Sequence, residues 1–164
     1  MKQVILYSTK YFFRAFTVLL MIALIYMKIM GVTRCMVHGE SMYPTLENKE
    51  KLLMVKKKAP KRFSMVVFDK EDTVMIKRVI GLPGDEVKVE QGKLYINGTE
   101  MDEPYLTEDL TKKYKNRSFT ITVDEDSYYV LGDNRDHSVD SRDFGQIKQN
   151  QILGVILCRL KKIF

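Results

Sequence analysis

The chain has 164 residues, 45% hydrophobic and 29% charged, which suits one compact domain plus a small extra segment rather than two full domains. A net charge of +6 is compatible with binding to nucleic acid, with binding to an anionic membrane surface, or with solubility alone. No basic run alternates with aromatic residues as in proteins that stack bases, so a membrane surface is favoured. Two cysteines, Cys35 and Cys158, are too few and too distant for a disulfide framework or a zinc site, and their pairing stays open.

An apolar segment near the N-terminus predicts a transmembrane helix. Residues 1–14 carry three basic side chains, and residues 15–27 carry no charge. If Lys28 extends its amine to the interface, the 19 residues from 15 to 33 can span about 30 Å of hydrocarbon. The expected division is a basic segment at 1–14, an anchor at 15–33 and a β-rich domain at 34–164.

Two other interpretations of the apolar segment are weaker. A cleaved signal peptide has similar parts, but no small-x-small site follows, and Arg34 stands where a lipoprotein cleavage site needs a small residue. A buried core helix would be apolar on one face, whereas this segment is apolar on all faces.

Basic residues flank both ends of the apolar segment, so charge does not fix its orientation in the membrane. A long downstream domain can be translocated regardless of charge.

The next segment, residues 39–46, places the hydroxyl of Ser41 between a glycine and the stiff Pro44. A simple turn is one interpretation, because Gly, Ser and Pro favour turns.

Residues 49–62 then hold seven basic side chains against one acidic side chain. This stretch is either a solvated surface or a strand and loop that lie on anionic headgroups.

Alternating apolar residues predict a β-rich domain further along. Strands are expected at residues 65–68, 73–80, 87–89, 94–96, 119–123, 128–131 and 152–160. Gln91-Gly92 and Asn97-Gly98 predict tight turns. Residues 101–117 are polar and predict a surface excursion.

Lys77 lies inside the apolar strand expected at 73–80. If its side chain points inward, desolvation lowers the pKa of the ammonium group. Strand alternation could instead send Lys77 to solvent or pair it with an acid, and for a lone strand lysine this is the simpler interpretation.

A polar loop at residues 132–145 contains four aspartates and two arginines. The aspartates suggest a calcium loop, but the arginines in the same loop and the lack of a late bidentate glutamate argue against one. The pattern is more typical of a hydrogen-bonded network that supports a site.

These segments together resemble the type I signal peptidases, the membrane-bound Ser/Lys proteases of the S26 family that remove signal peptides from exported proteins. Gly39–Leu46 resembles the nucleophile box of that family, Lys77–Asp85 its lysine box and Gly132–Arg142 its third signature. The three motifs occur in the family's order behind one apolar segment. A single anchor and a small insert are similar to the Gram-positive bacterial type.

The resemblance implies a mostly β fold, in which a single transmembrane helix precedes a signal-peptidase-like domain of coiled antiparallel β-sheets. It implies Ser41 as the nucleophile, Lys77 as the general base and Ser138 as the residue that orients the lysine. Structural roles are implied for Arg78, Asp140 and Arg142. Substrate contacts are expected from Gly39, Met42, Leu46, Met75 and Ile76.

The implied partners are the signal peptides of exported preproteins, the lipid bilayer and the secretion translocon, with no nucleic acid. No metal or other cofactor is expected. The implied location is the cell membrane, crossed once, with the N-terminus in the cytoplasm and the catalytic domain outside.

The proposed chemistry requires a neutral lysine, because only an uncharged amine can take the proton of a serine hydroxyl. At an ordinary pKa near 10.4, about one lysine in two thousand is neutral at pH 7. Lowering that pKa by roughly 2 to 3 units costs about 3 to 4 kcal/mol of desolvation. The apolar strand around Lys77 would supply this environment.

Two departures from the family pattern are visible. Residues 62–64 are Arg-Phe-Ser, where the family often has Arg-Gly-Asp. This difference makes it uncertain that the chain forms the family's turn before the strand at 65–68. Position 39 is glycine where some members have a serine that donates to the oxyanion, so the main-chain N–H of Ser41 is expected to carry most of that role.

Other functions stay open at this stage. A Ser/His/Asp triad would use His38 or His137 with Asp136 or Asp140. A related Ser/Lys protease of the self-cleaving repressor type would be soluble. A membrane-anchored binding module could keep the fold without activity.

Overall fold

The computed structural model of the chain describes residues 2–29, 31–56, 58–112 and 114–160. The chain forms two compact units, which divide between residues 32 and 33. The first unit consists mainly of one helix and the second of β-sheets, so the predicted order of helix and β-rich domain is confirmed.

The N-terminal helix, α1, runs from Lys2 to Ile29. Its part from Lys10 to Ile29 has 20 residues and a mean hydropathy of 1.9, and 0% of it is buried. By length and composition this part could cross a membrane. A core helix would have one covered face, so that interpretation does not fit.

The bounds of α1 differ from the anchor predicted at 15–33. The helix includes most of the basic segment 1–14, because lysine and arginine are good helix formers and do not interrupt it. It ends before Gly31, whose φ of 69° lies outside the helical range. Val32 already belongs to the first strand.

Eleven strands are formed by the described residues. In chain order they are β1 (Val32–Met36), β2 (Lys51–Val55), β3 (Met65–Lys70), β4 (Thr73–Gly81), β5 (Glu86–Glu90), β6 (Lys93–Ile96), β7 (Thr99–Met101), β8 (Phe119–Thr122), β9 (Ser127–Leu131), β10 (Ile147–Lys148) and β11 (Ile152–Arg159). A short helix, α2, covers Ser141–Phe144.

The strands form two sheets. The larger has the order β1-β2-β11-β3-β4-β9-β10, and the smaller has the order β7-β6-β5-β8. The pairs β2–β11, β3–β4, β4–β9 and β5–β6 are all antiparallel. All seven predicted strands are present within a residue or two, whereas β1, β7 and β10 were not predicted, and β2 was predicted only as one of two alternatives for residues 49–62.

Strand β2 lies inside the basic stretch 49–62. Leu52 and Met54 are buried, at 0% and 8% exposure, while Lys51 faces solvent. The lysines around this strand obscure its alternation in the sequence. The stretch is therefore partly a sheet strand and not only a solvated surface.

Three apolar clusters form the core. The first combines residues of both sheets, namely Ile80, Val87, Val89, Leu94, Ile96, Tyr114, Val123, Tyr129 and Leu131. The second contains Val37, Met42, Leu46, Leu52, Met54, Val67 and Ile156. The third contains Val66, Phe68, Val79, Tyr128, Val130, Ile147 and Val155. Val66 and Val67 are neighbours in different clusters, so the larger sheet is covered on both faces.

The prediction of residues 101–117 as a surface excursion is wrong for part of this segment. Tyr114 is only 1% exposed and Thr111 only 6%. The side chain of Glu103 is 7% exposed. Polar side chains in this segment therefore pair inward, which a count of polar residues does not reveal.

The two cysteines are free thiols. Cys35 lies in β1 and Cys158 in β11, and β2 separates these strands in the sheet. This spacing is too wide for a disulfide between the two strands.

Candidate active site

Ser41 and Lys77 meet although they are far apart in sequence. The Nζ atom of Lys77 lies 2.6 Å from the Oγ atom of Ser41. Lys77 is only 4% exposed, whereas Ser41 is partly accessible. A buried amine in contact with an accessible hydroxyl is the arrangement that a Ser/Lys dyad requires.

Strand β4 carries Lys77 into the larger sheet. The residue opposite it on β3 is the fully buried Val66. Burial lowers the pKa of Lys77 from 10.5 to about 8, although the Asp140 carboxylate opposes this shift. About one amine in ten is then neutral at pH 7. The simpler interpretation, in which Lys77 points to solvent, is wrong.

Two buried side chains hold the segment that carries Ser41. The Leu46 N–H donates to the Met42 carbonyl at 2.8 Å, which closes one turn. Met42 and Leu46 are 2% and 0% exposed and pack in the second apolar cluster. Burying side chains of this size stabilises the fold by about 1.5–3 kcal/mol each. This packing fixes the chain directly after Ser41.

The loop at 132–145 contacts the same segment from another side. The Asn134 N–H donates to the Ser41 carbonyl at 3.0 Å, and Asn134 Nδ2 donates to the Glu40 carbonyl at 3.2 Å. A Cβ atom on Gly132 would collide with the Ser138 side chain and the Ser41 carbonyl. Only glycine therefore allows this close approach.

Arg78, the residue after Lys77, connects β4 to this loop. Its Nε and Nη2 atoms donate to the Asp133 carboxylate at 2.8 and 2.5 Å. Its Nη1 atom donates to the Phe63 carbonyl at 2.8 Å. Removing one partner of a buried pair of this kind costs about 3–5 kcal/mol. The lysine strand and the loop that contacts Ser41 are thus joined by a buried ion pair.

Asp140 organises the far end of the loop. It accepts hydrogen bonds from Arg142 Nε at 2.7 Å and from the Gly132 N–H at 2.9 Å. It also caps α2, and the carboxylate of Asp143 accepts the Asp140 N–H in return. Burial acts to raise the pKa of Asp140, but the bonds from Arg142 and Gly132 outweigh it and lower that pKa.

Ser138 lies next to the dyad. Its side chain packs against Gly132, close to the Ser41 carbonyl. Its Oγ atom is buried and forms no hydrogen bond to Lys77 within the described residues, while its interaction with the Asp140 carboxylate helps to lower the pKa of that group. Its location suits the role of orienting Lys77, and that role stays a prediction.

The residues predicted to contact substrate do not form one surface. Ile76 packs on the same cluster as Met42 and Leu46, whereas Met75 packs on the third cluster, on the opposite face of the sheet. Neighbouring strand residues alternate between faces, so Met75 and Ile76 do not line one common pocket, and the substrate contact of each stays a prediction. Met42 and Leu46 are buried in the second cluster, while Gly39 is exposed.

The main chain at Ser41 offers a donor to a developing oxyanion. Within the described residues the Ser41 N–H donates to no acceptor. The Gly39 N–H, in contrast, donates to Asn48 Oδ1 at 3.3 Å. A main-chain N–H beside a serine hydroxyl is the kind of donor that can stabilise the oxyanion formed in acyl transfer.

The departure at residues 62–64 leaves the turn intact. Phe63 adopts a φ of 63°, the left-handed region that glycine enters most easily. Its carbonyl still accepts the hydrogen bond from Arg78. The Arg-Phe-Ser sequence therefore forms a turn at this place and supports Arg78.

Sequence reasoning gave no role to three residues of the loop. Asp133 was considered only as a calcium ligand, and Asn134 and Arg135 were not singled out. Their partners are distant in sequence, so no local pattern indicates the contacts. The acid-rich loop and the basic residue beside Lys77 were the only available signal.

The histidine alternative finds no support in the geometry. His38 and His137 are both exposed. Within the described residues no hydrogen bond joins either imidazole to Ser41, whose hydroxyl contacts Lys77 instead.

Replacing both His38 and His137 by alanine is therefore expected to leave kcat within about twofold of wild type, because neither side chain touches the dyad. The measurement is the initial rate of preprotein cleavage by the detergent-solubilised chain. A loss of more than about tenfold, with the protein still folded, would restore the triad hypothesis.

Comparison with known proteins agrees with this geometry. The family model described as "Signal peptidase, peptidase S26" matches residues 9–160. Signal peptidase I of Bacillus amyloliquefaciens is 42% identical over 130 residues, covering 72% of this chain and 70% of that protein. Signal peptidase I S of Bacillus subtilis strain 168 is 40% identical over 131 residues, covering 72% and 71%. The crystal structure of a signal peptidase I from Enterococcus faecalis V583 superposes with a TM-score of 0.53 at 37% identity, covering 61% of this chain and 98% of that one.

Proposed function

Because the chain belongs to the S26 family of signal peptidases, we propose that it is a serine endopeptidase that removes signal peptides from exported preproteins. The observation that carries the proposal is the 2.6 Å contact between Lys77 Nζ and Ser41 Oγ. In this proposal Ser41 is the nucleophile and Lys77 the general base.

The proposed first half-reaction is acyl transfer to Ser41. Neutral Lys77 takes the hydroxyl proton as Oγ attacks the scissile carbonyl carbon. The resulting oxyanion is stabilised by the Ser41 N–H. The tetrahedral intermediate collapses when Lys77, now an ammonium, gives its proton to the leaving amine of the mature protein. The signal peptide remains attached to Ser41 as an ester.

The second half-reaction releases the signal peptide. Lys77, neutral again, takes a proton from water, and the hydroxide formed attacks the ester carbonyl. Collapse of that intermediate returns the proton from Lys77 to Ser41 Oγ and frees the peptide as a carboxylic acid, which then loses its proton to solvent. Ser138 is proposed to orient the amine of Lys77 in both halves, from its place against Gly132.

An extended substrate is proposed to lie beside the segment that leads from β1 to Gly39. Strand β1 is the terminal strand of the larger sheet, and extended peptides bind such edges by adding a strand. Small side chains at the first and third positions before the cut are expected, because in this proposal the buried Met42 and Leu46 form a closed floor beside Ser41. Ile76 borders this floor.

The helix α1 is proposed to anchor the enzyme in the cell membrane with a single pass. The 20-residue apolar part from Lys10 to Ile29 supports this. The proposed topology has the N-terminus in the cytoplasm and the catalytic domain outside, where translocated signal peptides emerge. The bilayer and the secretion translocon are proposed partners.

The proposed function is tested with the full chain in detergent and a preprotein that carries alanine at both small positions. We expect one cut, after the second alanine, identified by the mass of the mature N-terminus. The control substrate has leucine in place of the alanine directly before the cut. Absence of any cut in the first substrate, or equal cleavage of the two substrates, would contradict the proposal.

A further inference from the structure

A third buried ion pair, besides Arg78–Asp133 and Arg142–Asp140, lies outside the dyad. Arg135, in the loop that contacts Ser41, binds Glu103 through two hydrogen bonds of 3.1 and 2.5 Å. The side chains are 0% and 7% exposed. Removing two charges from water to this degree is unfavourable unless the geometry and further hydrogen bonds compensate.

The third contact of Arg135 leads to the nucleophile. Its Nε atom donates to the Gly132 carbonyl at 3.0 Å. Gly132 lies against the Ser41 carbonyl, and the Asn134 N–H donates to that same carbonyl. The guanidinium group therefore connects Glu103 to the stretch of main chain on which Ser41 rests.

Glu103 also reaches the lysine side of the site. The Tyr105 hydroxyl donates to Glu103 Oε1 at 2.6 Å. The guanidinium of Arg78 lies 3.9 Å from the centroid of the Tyr105 ring. Arg78 follows Lys77 on β4, so one carboxylate is linked both to the strand that carries Lys77 and to the segment that carries Ser41.

We propose that Glu103 is a positioning residue for the cleavage reaction. By holding Arg135 and Tyr105 together, it keeps Ser41 aligned with Lys77 and keeps the Ser41 N–H directed at the oxyanion. A displacement of about 1 Å at such a site can lower a rate by about 100-fold, even when its cause is remote. This inference rests on the proposed function.

The test variant is Glu103→Gln, made in the full chain and assayed in detergent on the alanine-containing preprotein. The amide keeps the size of the side chain. It lacks the negative charge that holds the Arg135 guanidinium group through two hydrogen bonds. We expect kcat to fall by about 10- to 100-fold with KM within about twofold, because Glu103 does not lie on the substrate surface.

Two further variants test the inference if Glu103→Gln does not fold. Arg135→Lys keeps the positive charge but cannot bridge Glu103 and the Gly132 carbonyl, so it should show a similar loss of kcat. Tyr105→Phe removes one hydrogen bond to Glu103 and keeps the ring under Arg78. It should lower kcat less, by about two- to fivefold.

Asp85→Asn provides a matched control. Asp85 forms a partly buried pair with Arg62 at 2.9 Å and has no hydrogen bond to Ser41 or Lys77 within the described residues. Losing this pair should lower the melting temperature and leave kcat per folded molecule unchanged.

The outcomes separate the two proposals. Loss of kcat in the Glu103, Arg135 and Tyr105 variants well below their melting temperatures, with Asp85→Asn unaffected, supports positioning. Wild-type kcat in the folded variants, or an equal loss in Asp85→Asn, overturns it. If the wild-type chain fails to cut the preprotein at all, the proposed function itself is wrong and this inference is wrong with it.

Discussion

Replacing Ser41 by alanine is expected to abolish preprotein cleavage, with kcat at least about 1,000-fold below wild type. The variant keeps the floor formed by Met42 and Leu46 and keeps the main-chain N–H, so it should still bind the peptide. It lacks the atom that attacks the carbonyl, and water would have to replace it. The melting temperature should stay within a few degrees of wild type, because the Ser41 hydroxyl is not part of the core.

Ser127→Ala is the matched control for this variant. Ser127 is 2% exposed, and its hydroxyl donates to Asp126 at 3.0 Å. Removing that hydroxyl should leave kcat within about twofold of wild type. Substantial cleavage by the folded Ser41→Ala protein, above about a tenth of the wild-type rate, would assign the nucleophile to another residue.

Local sequence patterns predicted most of the strands of the two sheets but not the remaining short or lysine-flanked strands. Seven strands were predictable because apolar alternation and the turns at Gln91-Gly92 and Asn97-Gly98 are visible within short windows. Strand β10 has two residues, and β2 is surrounded by lysines, so neither gives a clear periodic signal. The helix α1 begins before the anchor predicted at 15–33, because the residues of its basic first turns are also good helix formers.

The site was predictable only in its parts. Ser41 and Lys77 each had a simple local interpretation, and the resemblance to a family, not their spacing, suggested that they meet. Strand alternation predicts that the side chains of Met75 and Ile76 lie on opposite faces of the sheet. Which apolar cluster each side chain contacts depends on the elements that pack on that face. Such contacts belong to the tertiary structure.

The buried ion pairs that support the site also could not be predicted from local sequence patterns. Arg78 and Asp133 are separated by 55 residues, and Glu103 and Arg135 by 32. A segment with many polar residues was read as surface, although its key carboxylate is buried. Composition does not distinguish a polar group that faces water from one that has a buried partner.

Replacing Lys77 by methionine is expected to abolish cleavage, again by about 1,000-fold or more, and at the same time to stabilise the fold. Methionine is similar in length to lysine and suits the apolar surroundings of β4. Without the amine, no base takes the proton of Ser41. Lys88→Met, at a partly exposed lysine of β5 paired with Glu90, is the control and should keep wild-type activity.

The stability effect follows from the lowered pKa of Lys77. The amine has a pKa of about 8 in the folded chain and 10.5 when exposed. Below pH 8 both states carry the proton, and the folded state bears the full desolvation cost, about 3 kcal/mol. Between pH 8 and 10.5 the unfolded state binds more protons than the folded state, so wild-type stability rises with pH. The gain in the free energy of unfolding on Lys77→Met should therefore be largest below pH 8 and shrink above it.

The pH dependence of wild-type cleavage gives an independent measure of the same group. With a pKa of about 8 for Lys77, the neutral fraction rises from about 1% at pH 6 to about 90% at pH 9. We expect kcat to rise about tenfold per pH unit at first and to level off above pH 8. A rate that is flat between pH 6 and pH 9, or cleavage by the folded Lys77→Met protein, would show that Lys77 is not the base. The amine that is costly to bury would then have to be explained by something other than catalysis.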